Sequence, residues 1–163
     1  MTHREFFIKR WTNEYPAFVR VINALPKEQL SYRPHPRSRS AEELVWLLAL
    51  EEKAGSELID TGQIDWKEPT PPAPASLDEM IAVFERAHAD LDRRLARLDD
   101  AAWERKAKFL VNGQPVMEET IGEFFWFSLL DAVHHRGQLS VYIRPMGGKV
   151  PSIYGPSGDD MGQ

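Results

Sequence analysis

The sequence predicts a single all-α domain, a four-helix bundle spanning residues 1–163. Three observations carry that reading. Four capping boxes, each a Ser or Thr followed three residues later by Glu, precede amphipathic stretches. Within those stretches the apolar residues recur at helical spacing rather than in alternation. A chain of 163 residues with 42% hydrophobic content can bury one core without disulfides or structural metal.

Thr2 and Glu5 open the first helix, which should run to about Leu25, where Pro26 stops it. Pro16 removes a backbone donor inside that helix and predicts a kink near Thr12. Ser40 and Glu43 open the second, to about Asp60 and the following Thr61-Gly62. Ser76 and Glu79 open the third, to about Leu98, with a short turn over Asp99 to Arg105. Thr120 and Glu123 open the fourth, to about Arg144, before Pro145 and Gly147-Gly148. The four prolines between Glu68 and Ala75 make a stiff crossover between the second and third helices. Between the third and fourth, KAKFLV and QPVM flank Asn112-Gly113, a pair that accepts the positive φ of a tight hairpin turn. The closing KVPSIYGPSGDDMGQ lacks helical period and predicts an extended tail.

Charge and composition remove several function classes. A net charge of -5 and a pI near 5.6 disfavour nucleic acid and anionic membrane as partners, because both reward a clustered positive face. The longest apolar run, Leu44 to Leu50, is too short to span a bilayer, and the N-terminus lacks an apolar signal core. These features predict a cytoplasmic protein. With no cysteine, any thiol chemistry needs a cosubstrate.

The polar residues of the helix stripes point to function. Phe7, Trp11, Phe18, Ile22 and Leu25 share a stripe with Glu14; Leu44, Leu47, Leu48 and Leu58 share one with Glu51. In the third helix His88 falls among Leu77, Ile81, Phe84, Leu91 and Leu95. In the fourth, Asp131, His135 and Gln138 fall among Phe124, Phe127 and Tyr142. Each ionisable residue sits near mid-helix, so side-by-side packing predicts a polar layer of Glu14, Glu51, His88, Asp131 and His135. Buried charges persist only when paired, hydrogen-bonded or metal-bound. Three arrangements satisfy such a layer: a divalent ion on the N and O donors (zinc, nickel, iron or manganese), a closed carboxylate–histidine network with no ion, or helix rotations that let some of these groups reach solvent. His134 is off the stripe and suits a hydrogen bond at the cleft edge, while Arg136 should point away from the core.

The stretch Asp131 to Gly155, DAVHHRGQLSVYIRPMGGKVPSIYG, resembles the C-terminal signature of the DinB-like (YfiT-like) superfamily, and RPHPRSRSAEELVWLLALEE extends the likeness toward the N-terminus. The resemblance implies an up-down-down-up helix order, a homodimer and a divalent metal held by three histidines. Aligning the motifs places Leu47, Asp131 and His135 at those three positions, so only one histidine remains. Asp131 can still ligate, and Glu51 lies one turn from Leu47. The resemblance thus implies a site rebuilt as Glu51, Asp131 and His135, or one that has been lost.

Two functions follow as expectations. The first is a metal-dependent hydrolase or thiol transferase acting on a small molecule or low-molecular-weight thiol, with Glu14, His88, His134, Gln138, Tyr142 and Tyr154 as further binding residues. The second is a non-catalytic dimer without metal that binds a small ligand or partner. Exposed aromatics, expected at Phe6, Trp46 and Trp126, would serve the dimer.

Overall fold

The structure is a computed structural model and describes residues 1–162. Its helices are α1 (His3–Asn23), α2 (Ala41–Thr61), α3 (Leu77–Leu95), the short α4 (Asp100–Trp103) and α5 (Ile121–Ile143). Its strands are β1 (Gln63–Trp66), β2 (Lys106–Val111) and β3 (Gln114–Thr120), joined as one sheet in the order β1-β2-β3.

The fold therefore departs from the expected all-α four-helix bundle. A fifth helix and a three-stranded mixed sheet stand beside the four long helices. β2 and β3 form an antiparallel hairpin whose turn is Asn112-Gly113, with φ of 50° and 79°. The unexpected strand is β1, which pairs parallel to β2 with Ile64 opposite Phe109 and Trp66 opposite Val111. Its four residues are too short for alternation to register, and a parallel partner over 40 residues away leaves no local mark.

Each long helix begins where its cap demands. Thr2, Ser40, Ser76 and Thr120 accept from the backbone N–H three residues on, and at the first three the partner Glu also reaches back. α2 ends on Gly62 at φ 72°, a left-handed cap that glycine adopts at low cost. α1 continues through Pro16 as one helix. The tail is not extended. It folds on itself through Asp159, which accepts from Val150 N and pairs with Arg144, and through Asp160, which accepts from Ser152 N.

α2 packs against α3 and α5, and α1 against α5. Gly55 allows the first of these contacts, since a Cβ there would stand 2.8 Å from Leu91 Cδ2. The core falls into two halves. One gathers Phe18, Ile22, Leu44, Leu48, Phe84 and Leu139; the other gathers Phe7, Trp11, Leu58, Leu91, Trp103 and Phe124. Glu14, Glu51, His88, Asp131 and His135 lie between the halves along their helices. Among the described residues no helix is long and apolar enough to cross a membrane.

Candidate metal centre

Glu51 on α2 meets Asp131 and His135, one turn apart on α5, where the two helices pack. One ligand atom from each lies within 4.8 Å of the others, a spacing that a single ion can bridge. His135 Nε2 stands 3.4 Å from Asp131 Oδ2 and 3.7 Å from Glu51 Oε1. The side chains of Glu51 and His135 are each 13% exposed, against 42% for Asp131, so the cluster is open on the Asp131 side.

Gln138 sets the imidazole. Its Oε1 lies 3.0 Å from His135 Nδ1, a contact in which the ring N–H donates, and Nε2 is the nitrogen directed at the two carboxylates. Glu51 Oε2 is buried with no hydrogen-bond partner. Burial pushes the Glu51 carboxyl well above the usual carboxylate range; the charges of Asp131 and Glu52 push the same way, and Arg39 opposes them. Two carboxylates, one of them with an orphaned buried oxygen, and an imidazole nitrogen form a donor set that a borderline divalent cation satisfies.

A pocket of about 340 Å³ opens over this cluster. Leu47, Ile64, Trp66, Phe109, Phe124 and Phe127 form its apolar wall, with Ser128 and Arg39 as further polar groups. β1 and β2 supply Ile64, Trp66 and Phe109, so the sheet is the wall of the site. Sequence reasoning missed Arg39, Trp66, Phe109 and Ser128. Ser128 shares the α5 stripe of Phe124, Asp131 and His135 and was legible by spacing, whereas no periodic signal marks Arg39, Trp66 or Phe109, the last two of which converge only after β1 docks beside β2.

The remaining residues of the expected layer separate into two other clusters. His88 Nδ1 lies 3.1 Å from Glu52 Oε1, and its ring is stacked between Trp11 and Tyr15 at centroid distances of 4.1 and 3.6 Å. Burial raises the Glu52 carboxyl, and the hydrogen bond and charge of His88 only partly offset it. Glu52 was legible only as the neighbour of Glu51. Glu14 instead pairs with Arg136 at 2.5 Å and accepts from the Tyr154 hydroxyl at 2.8 Å. Arg136, expected to face outward, is 2% exposed, hydrogen-bonds Tyr154 and lies over the Phe18 ring. Its long side chain follows apolar surface inward until the guanidinium reaches Glu14.

Tyr142 is buried and donates to the Arg39 carbonyl at 3.2 Å, which pins the backbone beside the pocket. His134 is exposed in an open groove with Pro34, Ser38 and Val141, its ring centroid 5.4 Å from that of His135. Of the six further binding residues, Gln138 and His134 stand against a member of the triad, both at His135.

Comparison with known proteins agrees with this architecture. The chain is 24% identical over 159 residues to the uncharacterized protein YrdA of Bacillus subtilis (strain 168), covering 96% of this chain and 90% of that one. The fold is similar to the crystal structure of a DinB-like protein from Bacillus cereus ATCC 10987, with a TM-score of 0.72, 21% identity, and 92% and 97% of the two chains covered. It is also similar to the DinB-like protein YjoA of Bacillus subtilis, with a TM-score of 0.67, 20% identity, and 86% and 91% covered. The model of the DinB family matches residues 1–162, and the chain belongs to that family.

Proposed function

We propose that Glu51, Asp131 and His135 hold one divalent metal ion and that the pocket above them admits a small molecule for metal-dependent hydrolysis or thiol transfer. The observation that carries this reading is the orphaned Glu51 oxygen, buried beside a second carboxylate and the Nε2 nitrogen of His135. Such an ion supplies Lewis acidity, which lowers the pKa of a water or thiol at neutral pH. The chain's own residues do the rest. Gln138 holds His135 in the ligating tautomer, and Trp66, Phe109, Phe124 and Phe127 keep bulk water from one side of the pocket. The chain has no cysteine, so a thiol would enter as cosubstrate.

The test is metal content by mass spectrometry on protein purified without a metal-affinity tag. Binding of about one ion per chain, lost in His135→Ala, supports the reading. Protein that stays metal-free after incubation with zinc, nickel, iron(II) and manganese overturns it.

We also infer a homodimer through α5. Phe127, Leu130, His134, Gly137 and Val141 follow one another at alternating three- and four-residue steps, an unpartnered stripe on the outer face of the helix. Phe127, Leu130 and Val141 are 57%, 64% and 70% exposed. The expected patch is smaller than the sequence suggests, since Trp46 is buried and donates to the Pro71 carbonyl, whereas Phe6 is 41% exposed and stacks on the half-buried Trp126. Sedimentation should give a dimer for the parent and a monomer for Leu130→Glu. A parent that sediments as a monomer at micromolar concentration removes this inference.

A further inference from the structure

The charge balance of the pocket specifies the chemistry of its occupant, and this inference rests on the metal reading above. Glu51 and Asp131 together offset a divalent ion held between them, which leaves Arg39 as the uncompensated charge of the pocket. Arg39 forms no ion pair among the described residues. The nearby Glu43 is instead 3.4 Å from Arg33 and accepts from Ser40 N at 2.6 Å. The backbone of Arg39 is nevertheless fixed, because it directly precedes the α2 cap Ser40 and its carbonyl accepts from Tyr142.

Apart from the triad and Ser128, the surface available to a ligand is aromatic and aliphatic, with Trp66, Phe109, Phe124 and Phe127 beside Leu47 and Ile64. A guanidinium at the edge of such a wall prefers a planar anion, while the wall rewards an apolar body. We propose that the pocket binds a small molecule with one anionic group and an aromatic or branched apolar body, the anion set against Arg39 and the body against Trp66 and Phe109. Without the ion, the paired carboxylates of Glu51 and Asp131 repel that anion, so metal and ligand reinforce each other's binding.

Calorimetric titration of phenylacetate and of its neutral counterpart phenylethanol into the full-length protein tests the assignment. Zinc-loaded protein should bind the acid about tenfold tighter than the alcohol. Arg39→Gln should abolish that preference and Arg39→Lys should keep part of it. Arg39 is exposed, and the melting temperature of each variant in zinc reports its folding. Equal affinity for acid and alcohol, a preference that survives Arg39→Gln or chelation, or no detectable binding of the acid at millimolar concentration overturns the anion assignment. Those outcomes leave a zinc-raised melting temperature standing, so the metal reading is judged separately. A melting temperature that ignores zinc overturns both.

Discussion

Glu51→Gln keeps the shape of the side chain and removes its charge, and it should change stability in opposite directions with and without metal. With zinc at about one hundred times its dissociation constant, binding to the folded state alone adds about 2.7 kcal/mol. The ligands come from two helices, α2 and α5, so the unfolded chain cannot assemble them. A domain of this size shifts by about 2–4 °C per kcal/mol, which places the parent's melting temperature about 5–11 °C higher in zinc than in chelator. Glu51→Gln should lose that rise.

In chelator the sign reverses. Burial first, then the charges of Asp131 and Glu52, hold the folded pKa of Glu51 above its unfolded value. The ionised carboxylate therefore destabilises the metal-free fold above its folded pKa, and this penalty vanishes below the unfolded pKa. Glu51→Gln should melt above the parent in chelator at pH 8, with the gap closing toward pH 4. His135→Ala should lose the zinc response without that gain. Differential scanning fluorimetry of the three proteins, each with zinc and with chelator, reads all of this. A Glu51→Gln protein that melts below the parent in chelator at pH 8, or that keeps the full zinc rise, refutes the reasoning.

Four further outcomes follow from the other two clusters and from the α2 cap. Glu14→Ala leaves the buried Arg136 guanidinium with only Tyr154 and should cost about 3 kcal/mol in urea unfolding; a loss under about 1 kcal/mol would show that the pair contributes little. His88→Ala should destabilise by about 2–3 kcal/mol through the lost stacking and the unpaired Glu52, yet leave metal content unchanged, and a fall in bound metal would join His88 to the metal centre. Ser40→Ala should cost about 1 kcal/mol by removing the α2 cap. Backbone hydrogen bonding at Ser40 holds the Glu43 carboxyl below its ordinary pKa, so its contribution is present above the unfolded pKa and fades as pH falls through the folded one; the gap between parent and Glu43→Gln in pH-dependent melting should narrow over that range, and a constant gap would contradict the cap.

Local chemistry made the long helices legible. Thr2, Ser40, Ser76 and Thr120 cap within four residues, and the stripes that carry Glu14, Glu51, His88, Asp131 and His135 repeat every turn, so both features are present before the chain folds. The same periodicity placed Glu51, Asp131 and His135 at one level, and the structure brings their ligand atoms together. Spacing along a helix fixes height and face, but not which neighbour a side chain meets. Only tertiary packing separated His88 with Glu52, and Glu14 with Arg136, from the triad, because each long side chain follows the cheapest desolvation path to a partner on another helix. Packing also decided the pocket wall. Trp66 and Phe109 come from strands paired in parallel across more than 40 residues, and such a pairing is stabilised only by contacts that exist after the chain has closed on itself.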